Sequence, residues 1–402
     1  MLVTTCPLCA SRDLELVIDL GLHPLADTFL KKEHLNKPET RYPLQVLLCK
    51  SCGHAMSSYV VSVTERYQAH DYSYHSGNSK VSIEHFNEMA QEIVEKVGVK
   101  EVDLVVDIGG SVGTLLQAFQ THAGAQILNV EPAGNIADLS EQNNIETVRD
   151  FFTPAVAQMI AQRGGAKVIT MTNVFNHIAY LDDFMKAIAQ ALRHDGVFVV
   201  EVPYLQHLIE QLAFDTIYLE HVSYFALKPL RTYLKKFGLV IADGGENDYM
   251  GGSMRLYIRK GGPEVARMPQ LIAREEATGL FDPRMYREFM RKVQDFKFSL
   301  LQELIVAKAA GGRIVGIGAA TKGNTLLNYC GIDSSLLEFV TDASPLKLDK
   351  HTPGSRLPIK PDDAITQEIT HALILPWNIG DFLRGKLAPK FPNLVFITPR
   401  MK

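Results

Sequence analysis

Val105-Val-Asp107-Ile-Gly109-Gly110-Ser111-Val-Gly113 joins a short β-branched run to a glycine turn and then to a helix-length segment. The passage reads as a first strand, a sharp bend and the start of a helix. Glycine suits the bend because the backbone reverses tightly there and a ligand can approach without meeting a Cβ atom. Working outward, Leu104-Val-Val-Asp107, Gln126-Ile-Leu-Asn-Val-Glu131, Lys167-Val-Ile-Thr-Met171 and Gly196-Val-Phe-Val-Val-Glu201 read as strands separated by helix-length segments. That alternation predicts an α/β fold with a doubly wound, Rossmann-like parallel sheet.

The acids around the turn narrow the ligand. A dinucleotide site wants G-x-G-x-x-G, and Ser111 occupies the second glycine position. Asp107, just before Gly109, would repel a pyrophosphate but suits a cationic or zwitterionic ligand such as S-adenosylmethionine. Glu131 ends the next strand and is placed to accept from both ribose hydroxyls. Arg149-Asp150-Phe151-Phe152 then offers a carboxylate for an adenine amino group and aromatic surface to flank the ring. Gly109, Gly110 and Gly113 complete the candidate cofactor cradle. The plainer alternatives are a strand-capping Asp107, a solvated Glu131 and a turn-forming Asp150.

Cys6-Pro-Leu-Cys9 and Cys49-Lys-Ser-Cys52 use four of the five cysteines. Each CxxC turn presents two thiolates on one edge of a tetrahedron, so Cys6, Cys9, Cys49 and Cys52 are the candidate ligands of a structural Zn2+. Two unconnected turns or a redox pair are the alternatives. His54 is either a substitute ligand or, more plainly, a solvated histidine. Cys330 reads as a small buried apolar residue.

Composition sets the frame. The chain has 402 residues, 46% hydrophobic and 21% charged, enough for two or three cores. No apolar run approaches the roughly 20 residues of a bilayer span, and no secretory pattern opens the sequence, so a cytoplasmic location is expected. Five cysteines with four in metal-type pairs also argue against a disulfide framework. A net charge of −4 with dispersed Lys and Arg gives no footprint for nucleic acid, and no membrane partner is expected. Three blocks follow: a loop-rich zinc-binding domain over 1–78 whose metal would supply much of its folding energy, a cofactor-binding domain over 79–262, and a helical linker with a smaller α/β domain over 263–402. In the last block, Arg313-Ile-Val-Gly-Ile317 runs into Gly318-Ala-Ala-Thr-Lys322-Gly323-Asn324, a strand-to-helix loop suited to an anion. Lys322 is the candidate cation there, with Lys347, Lys350 and Arg356 further along.

At this point the chain resembles the class I S-adenosylmethionine-dependent sugar C-methyltransferases of the tetronitrose type, which carry an N-terminal zinc-binding domain. The residues that carry the resemblance run along the whole sequence: the two CxxC pairs, Asp19-Leu-Gly21-Leu-His-Pro24-Leu-Ala26, Tyr72-Ser-Tyr74-His75-Ser76, Asn173-Val-Phe-Asn-His177-Ile, Phe214-Asp-Thr-Ile-Tyr218-Leu-Glu220-His221, Gly245 through Gly252, Gly316-Ile-Gly318-Ala-Ala-Thr-Lys322, Asn328-Tyr-Cys330-Gly331-Ile and Thr352-Pro-Gly354. The family's cofactor loop often reads Glu-Ile-Gly-Cys-Asn-Asp-Gly, and here the Asn-Asp pair is replaced by Ser111-Val112. The resemblance implies methyl transfer to carbon 3 of a nucleoside-diphosphate-linked 4-keto-6-deoxysugar, with the nucleotide sugar held partly by the third domain through Lys322 and Lys347. Oligomeric state leaves no trace in the sequence.

Carbon methylation beside a ketone needs a base, stabilisation of the enolate and an in-line methyl donor. His221 suits the base, since an ordinary histidine is mostly neutral at pH 7. If its segment is extended, Glu220 points elsewhere and acts on another group. Tyr74, Tyr218, Asn173 and His177 are candidate donors to the oxyanion or the hexose, Asn173 also lying beside the cofactor. Alternatives are a nicotinamide-dependent nucleotide-sugar oxidoreductase, an O- or N-methyltransferase, and a zinc-ribbon binding protein on α/β scaffolds.

Overall fold

The computed structural model describes residues 1–67, 75, 77 and 79–399. Three sheets organise them. The first holds β1 (Leu14–His23), β2 (Tyr42–Cys49) and β3 (Ala55–Ser57), paired antiparallel in that order. The second is built from β4 (Leu104–Ile108), β5 (Gln126–Val130), β6 (Thr147–Val148), β7 (Ala166–Thr172) and β8 (Leu192–Pro203), all parallel. β9 (Ser223–Tyr224) leaves this stretch of chain to pair with β3, completing the first sheet.

The expected parallel sheet needs one correction. β10 (Leu239–Asn247) and β11 (Ser253–Lys260) form a hairpin added antiparallel to β8, giving the order β10-β11-β8-β7-β4-β5-β6. The parallel strands are near-continuous apolar runs, Val105 and Val106 or Val168 and Ile169 being fully buried, because helices cover both faces. Strand order reverses between β4 and β7, which opens a crevice at their carboxyl ends where open α/β sheets bind ligands.

The long helix Pro283–Ala309 has a defined start: Asp282 caps it by accepting from Arg284 N at 2.9 Å, and Pro283 supplies a preset first turn. It leads to the third sheet, β12 (Ile314–Ile317), β13 (Val340–Thr341), β14 (Ile359–Lys360), β15 (His371–Ile374) and β16 (Val395–Ile397), all parallel in the order β14-β13-β12-β15-β16. Its glycine loop faces the rest of the chain. Lys322 Nζ donates to Met250 O in the β10–β11 turn at 3.0 Å, Trp377 Nε1 donates to Asp215 at 2.8 Å, and Asn324 Nδ2 donates to Ala26 O at 2.7 Å. No helix among the described residues is long and apolar enough to cross a membrane.

Candidate active site and metal centre

Asp107 closes β4 and Glu131 follows β5, and their strands are hydrogen-bonded neighbours, so both carboxylates reach the crevice. Asp107 accepts from Thr170 Oγ1 at 2.7 Å; burial pushes it up to about 7, with the Glu131 charge adding to the rise. Glu131 accepts from Ser111 N at 3.2 Å and Ala133 N at 2.9 Å, and burial pushes it up to about 7 as well. The turn between them is a cradle. A Cβ on Gly110 would stand 2.6 Å from Asn129 Oδ1 and 2.8 Å from Asp107 Oδ2, and Gly113 holds φ at +83° against Ile145. Asn129 and Asn173 each keep a buried Oδ1 with no partner among the described residues. Desolvated carboxylates beside a bare backbone suit the ammonium of an amino-acid tail and a ribose, both parts of S-adenosylmethionine.

The outer candidates sit differently. Asp150 is exposed and its Oδ1 accepts from the next N–H, Phe151 N, at 2.7 Å. Phe152 is not a flanking surface: it packs in the core with its ring 5.5 Å from Phe184, leaving Phe151 half-buried.

Past β7, Asn173 takes a positive φ of 55° and the chain turns through Phe175–His177. Val174 abuts Gly109, at 2.8 Å from where its Cβ would stand, so this segment lies against the cofactor turn. Val222 N bonds Asn176 O at 2.8 Å and seats a second turn, Tyr218 to His221, beside it. The His221 ring thereby lies 5.0 Å from His177 and 3.7 Å from Tyr218. His221 Nδ1 bonds Thr216 O at 2.8 Å. Since a carbonyl only accepts, Nδ1 carries the proton and Nε2 keeps its lone pair. Burial, with the Lys322 and Arg66 charges nearby, pushes His221 down to about 3. His177 is likewise held well below the ordinary range by burial; its Nδ1 is 2.6 Å from Tyr67 Oη and its Nε2 is buried without a partner among the described residues.

Glu220 does not orient His221. Although the segment is a turn rather than a strand, the two side chains diverge: Glu220 Oε1 accepts from Asp27 N at 3.1 Å, and burial with the Asp27 charge pushes it up to about 7. Asp27 in turn accepts from Thr321 at the start of the third domain's first helix. Lys347 Nζ donates to Ala319 O in the Gly318 loop at 2.8 Å, whereas Lys322 Nζ donates to Met250 O in the β10–β11 turn, so both candidate lysines are tied to backbone carbonyls. Tyr74 lies outside the described residues. Sequence reasoning missed Arg66, Asp27 and Asp215, because nothing local distinguishes a buried charged side chain from a solvated one.

The cysteines converge. All four Sγ atoms lie within 4.8 Å of one another, with Cys6–Cys52 at 3.6 Å and Cys9–Cys49 at 3.5 Å. A tetrahedral ion with Zn–S bonds of ~2.3 Å spaces its sulfurs by about 3.8 Å, so the set fits zinc. The two turns close alike, Ala10 N on Cys6 O and Gly53 N on Cys49 O, with positive φ at Ala10 and Gly53. His54 is neither a ligand nor solvated: it is fully buried, 5.6 Å from the Phe225 ring and 3.3 Å from Ser223 Oγ.

A sheet of this topology, with a carboxylate-preceded glycine turn at its switch point, is that of an S-adenosylmethionine-dependent methyltransferase. Residues 83–243 match a methyltransferase domain model, residues 6–67 a zinc-binding domain model, and residues 248–393 the C-methyltransferase C-terminal domain. The C-methyltransferase NovU of Streptomyces niveus is 33% identical over 382 residues, 94% of this chain and 90% of that protein. The chain belongs to this family of S-adenosylmethionine-dependent C-methyltransferases. Among solved structures, a methyltransferase of Clostridium acetobutylicum matches with 14% identity over 45% of this chain and 92% of its own (TM-score 0.36). Magnesium protoporphyrin IX methyltransferase of Synechocystis, solved with bound S-adenosylmethionine, matches with 14% identity over 44% of this chain and 81% of its own (TM-score 0.32). Scores of this size leave the fold to be read from the sheet itself.

Proposed function

We propose that the enzyme methylates carbon 3 of a nucleoside-diphosphate-linked 4-keto-6-deoxysugar, with His221 as the base. The observation that carries this reading is the Nδ1 bond to Thr216 O, which leaves Nε2 as the unprotonated nitrogen of a neutral imidazole, in a turn seated through Val222 N on Asn176 O of the segment that abuts Gly109. A proton on carbon 3 is acidified by the neighbouring ketone; Nε2 takes it, the C–H electron pair becomes the C3–C4 double bond, and the carbonyl pair moves to oxygen. S-adenosylmethionine, when bound, would supply an electrophilic methyl on its sulfonium: the C3–C4 pair of the enolate would form the new carbon–methyl bond as the S–CH3 pair stays with sulfur and the ketone re-forms, and the proton on His221 passes to solvent.

The chain's other residues act by position. Asp107 and the Gly109–Gly113 turn hold the amino-acid tail, Glu131 the ribose, and Asp150 with Phe151 the adenine. His177, Tyr218, Asn173 and Tyr74 hold the hexose, and Glu220, aimed away from His221, accepts from a sugar hydroxyl. In the third domain the turn at Gly318, with Lys322 and Lys347, offers the diphosphate the start of the helix Thr321–Cys330. Zinc holds the 1–78 domain, whose Asp27 backs Glu220. Family membership removes the nicotinamide, scaffold and O- or N-methyl readings.

Incubating the protein with S-[methyl-13C]adenosylmethionine and dTDP-, GDP- or CDP-linked 4-keto-6-deoxysugars tests the proposal. A labelled methyl on carbon 3 supports it. Label on carbon 5, the other carbon flanking the ketone, keeps the chemistry and corrects the position; no transfer to any keto-sugar overturns it.

A further inference from the structure

Arg66, in the short helix Val63–Tyr67, is 6% exposed. Its Nη1 donates to His177 O at 3.2 Å and Glu220 O at 3.1 Å, clamping together the two backbone segments that carry the histidines. Its Nε and Nη2 are buried and have no partner among the described residues. These two nitrogens share one edge of the guanidinium, the same edge with which Arg149 grips both oxygens of Glu141 elsewhere in the chain. A desolvated cation with an unused two-toothed edge calls for an acceptor that offers two oxygens in its plane.

The place of the guanidinium follows from what it holds: His177 O and Glu220 O, backbone of the two turns that carry His177 and His221. Its charge is accordingly felt at His177, His221 and Glu220 and is absent from the influences on Asp107 and Glu131. This seat beside the two histidines puts the guanidinium on the substrate side of the crevice and away from the amino-acid tail of the methyl donor.

We propose that the Nε/Nη2 edge of Arg66 receives two adjacent oxygens of the keto-sugar, the carbonyl oxygen on carbon 4 and the oxygen on carbon 3, and stabilises the negative charge that collects there when carbon 3 loses its proton. This rests on His221 as the base. In the planar cis-enediolate so formed, both oxygens lie in one plane at a spacing a guanidinium spans, and the interaction strengthens as charge develops. The carbonyl contacts of Nη1 fix the fork relative to His221.

The test is exchange of the carbon-3 proton with deuterium oxide, followed by NMR, with S-adenosylhomocysteine and no methyl donor present. Wild-type protein, Arg66→Gln and Arg66→Lys are compared, with S-adenosylhomocysteine affinity measured on each. We expect wild-type exchange, a loss of about 10²–10³-fold in Arg66→Gln, a smaller loss in Arg66→Lys, which keeps the charge without the fork, and unchanged affinity for S-adenosylhomocysteine. Guanidinium ion added to Arg66→Ala restores part of the rate, which a purely structural role would not allow. If Arg66→Gln does not fold, Arg66→Lys and the rescue decide alone. Exchange at the wild-type rate in both variants overturns the assignment, as does a loss confined to S-adenosylhomocysteine affinity. No exchange in the wild type sinks the base reading itself.

Discussion

His221 Nδ1 bonds the carbonyl oxygen of Thr216 at 2.8 Å. A backbone acceptor five residues upstream decides which ring nitrogen is protonated, and so which one can take a proton from a substrate. Burial, with the Lys322 and Arg66 charges nearby, separately holds His221 low, to about 3, so the ring that meets the substrate is the neutral imidazole.

Glu220 should own the acid limb of the rate profile. Burial and the Asp27 charge push it up to about 7, so its anion is lost as pH falls through that value, and in kcat at saturating S-adenosylmethionine, where Asp107 and Glu131 are already engaged, Glu220 is the group that titrates there. Glu220→Gln should lower kcat by roughly 10²-fold and flatten the limb near 7. A limb that persists unchanged in this variant would assign it to another group.

Binding of S-adenosylmethionine should weaken in acid. Asp107 and Glu131 are both raised to about 7 in the ligand-free site, and a cationic ligand favours their ionised forms. Lowering pH through 7 makes protonation compete, so the Kd should rise by up to about tenfold per unit for each group, and binding at pH 7 should release protons. Calorimetry in buffers of different ionisation enthalpy reads both; affinity independent of pH from 8 to 6 would contradict it.

Gly110→Ala should spoil the cradle and spare the fold. Its Cβ would stand 2.6 Å from Asn129 Oδ1 and 2.8 Å from Asp107 Oδ2, forcing both side chains out of place. The expected outcome is at least roughly tenfold weaker binding of S-adenosylhomocysteine with an intact circular dichroism spectrum, and wild-type affinity would contradict the placement of the site.

Cys49→Ser should lose the metal and with it part of the fold. Cys49 is fully buried at the end of β2, and the turn that follows β1 in the same domain sets Asp27 against Glu220. Bound zinc near one per chain by atomic absorption should fall, and the melting temperature should drop by several degrees. An unchanged metal content would count against the four-thiolate centre.

Much of this was legible because it is local. The CxxC pairs, the Asp107 turn and the parallel strands announce themselves in spacing and β-branched runs. The β10–β11 hairpin did not, since Gly244 and Gly245 interrupt the strand pattern, and its antiparallel addition to β8 depends on a long-range pairing. Ser223–Tyr224 completing the first sheet on Ala55–Met56 is equally non-local. Nothing next to His54 in sequence announces its burial, whereas Phe225 and Ser223 enclose it from more than 160 residues away. Arg66 could not be found for the same reason, as its partners are the carbonyls of His177 and Glu220.

The central claim is that His221 Nε2 removes the proton from carbon 3 independently of methyl transfer. Deuterium exchange at carbon 3 of a 4-keto-6-deoxysugar nucleotide, with S-adenosylhomocysteine in the cofactor site, measures that step alone. Wild-type protein should exchange the proton, and His221→Ala should lose exchange by about 10²-fold or more while binding S-adenosylhomocysteine normally. Exchange at the wild-type rate in His221→Ala would contradict the account.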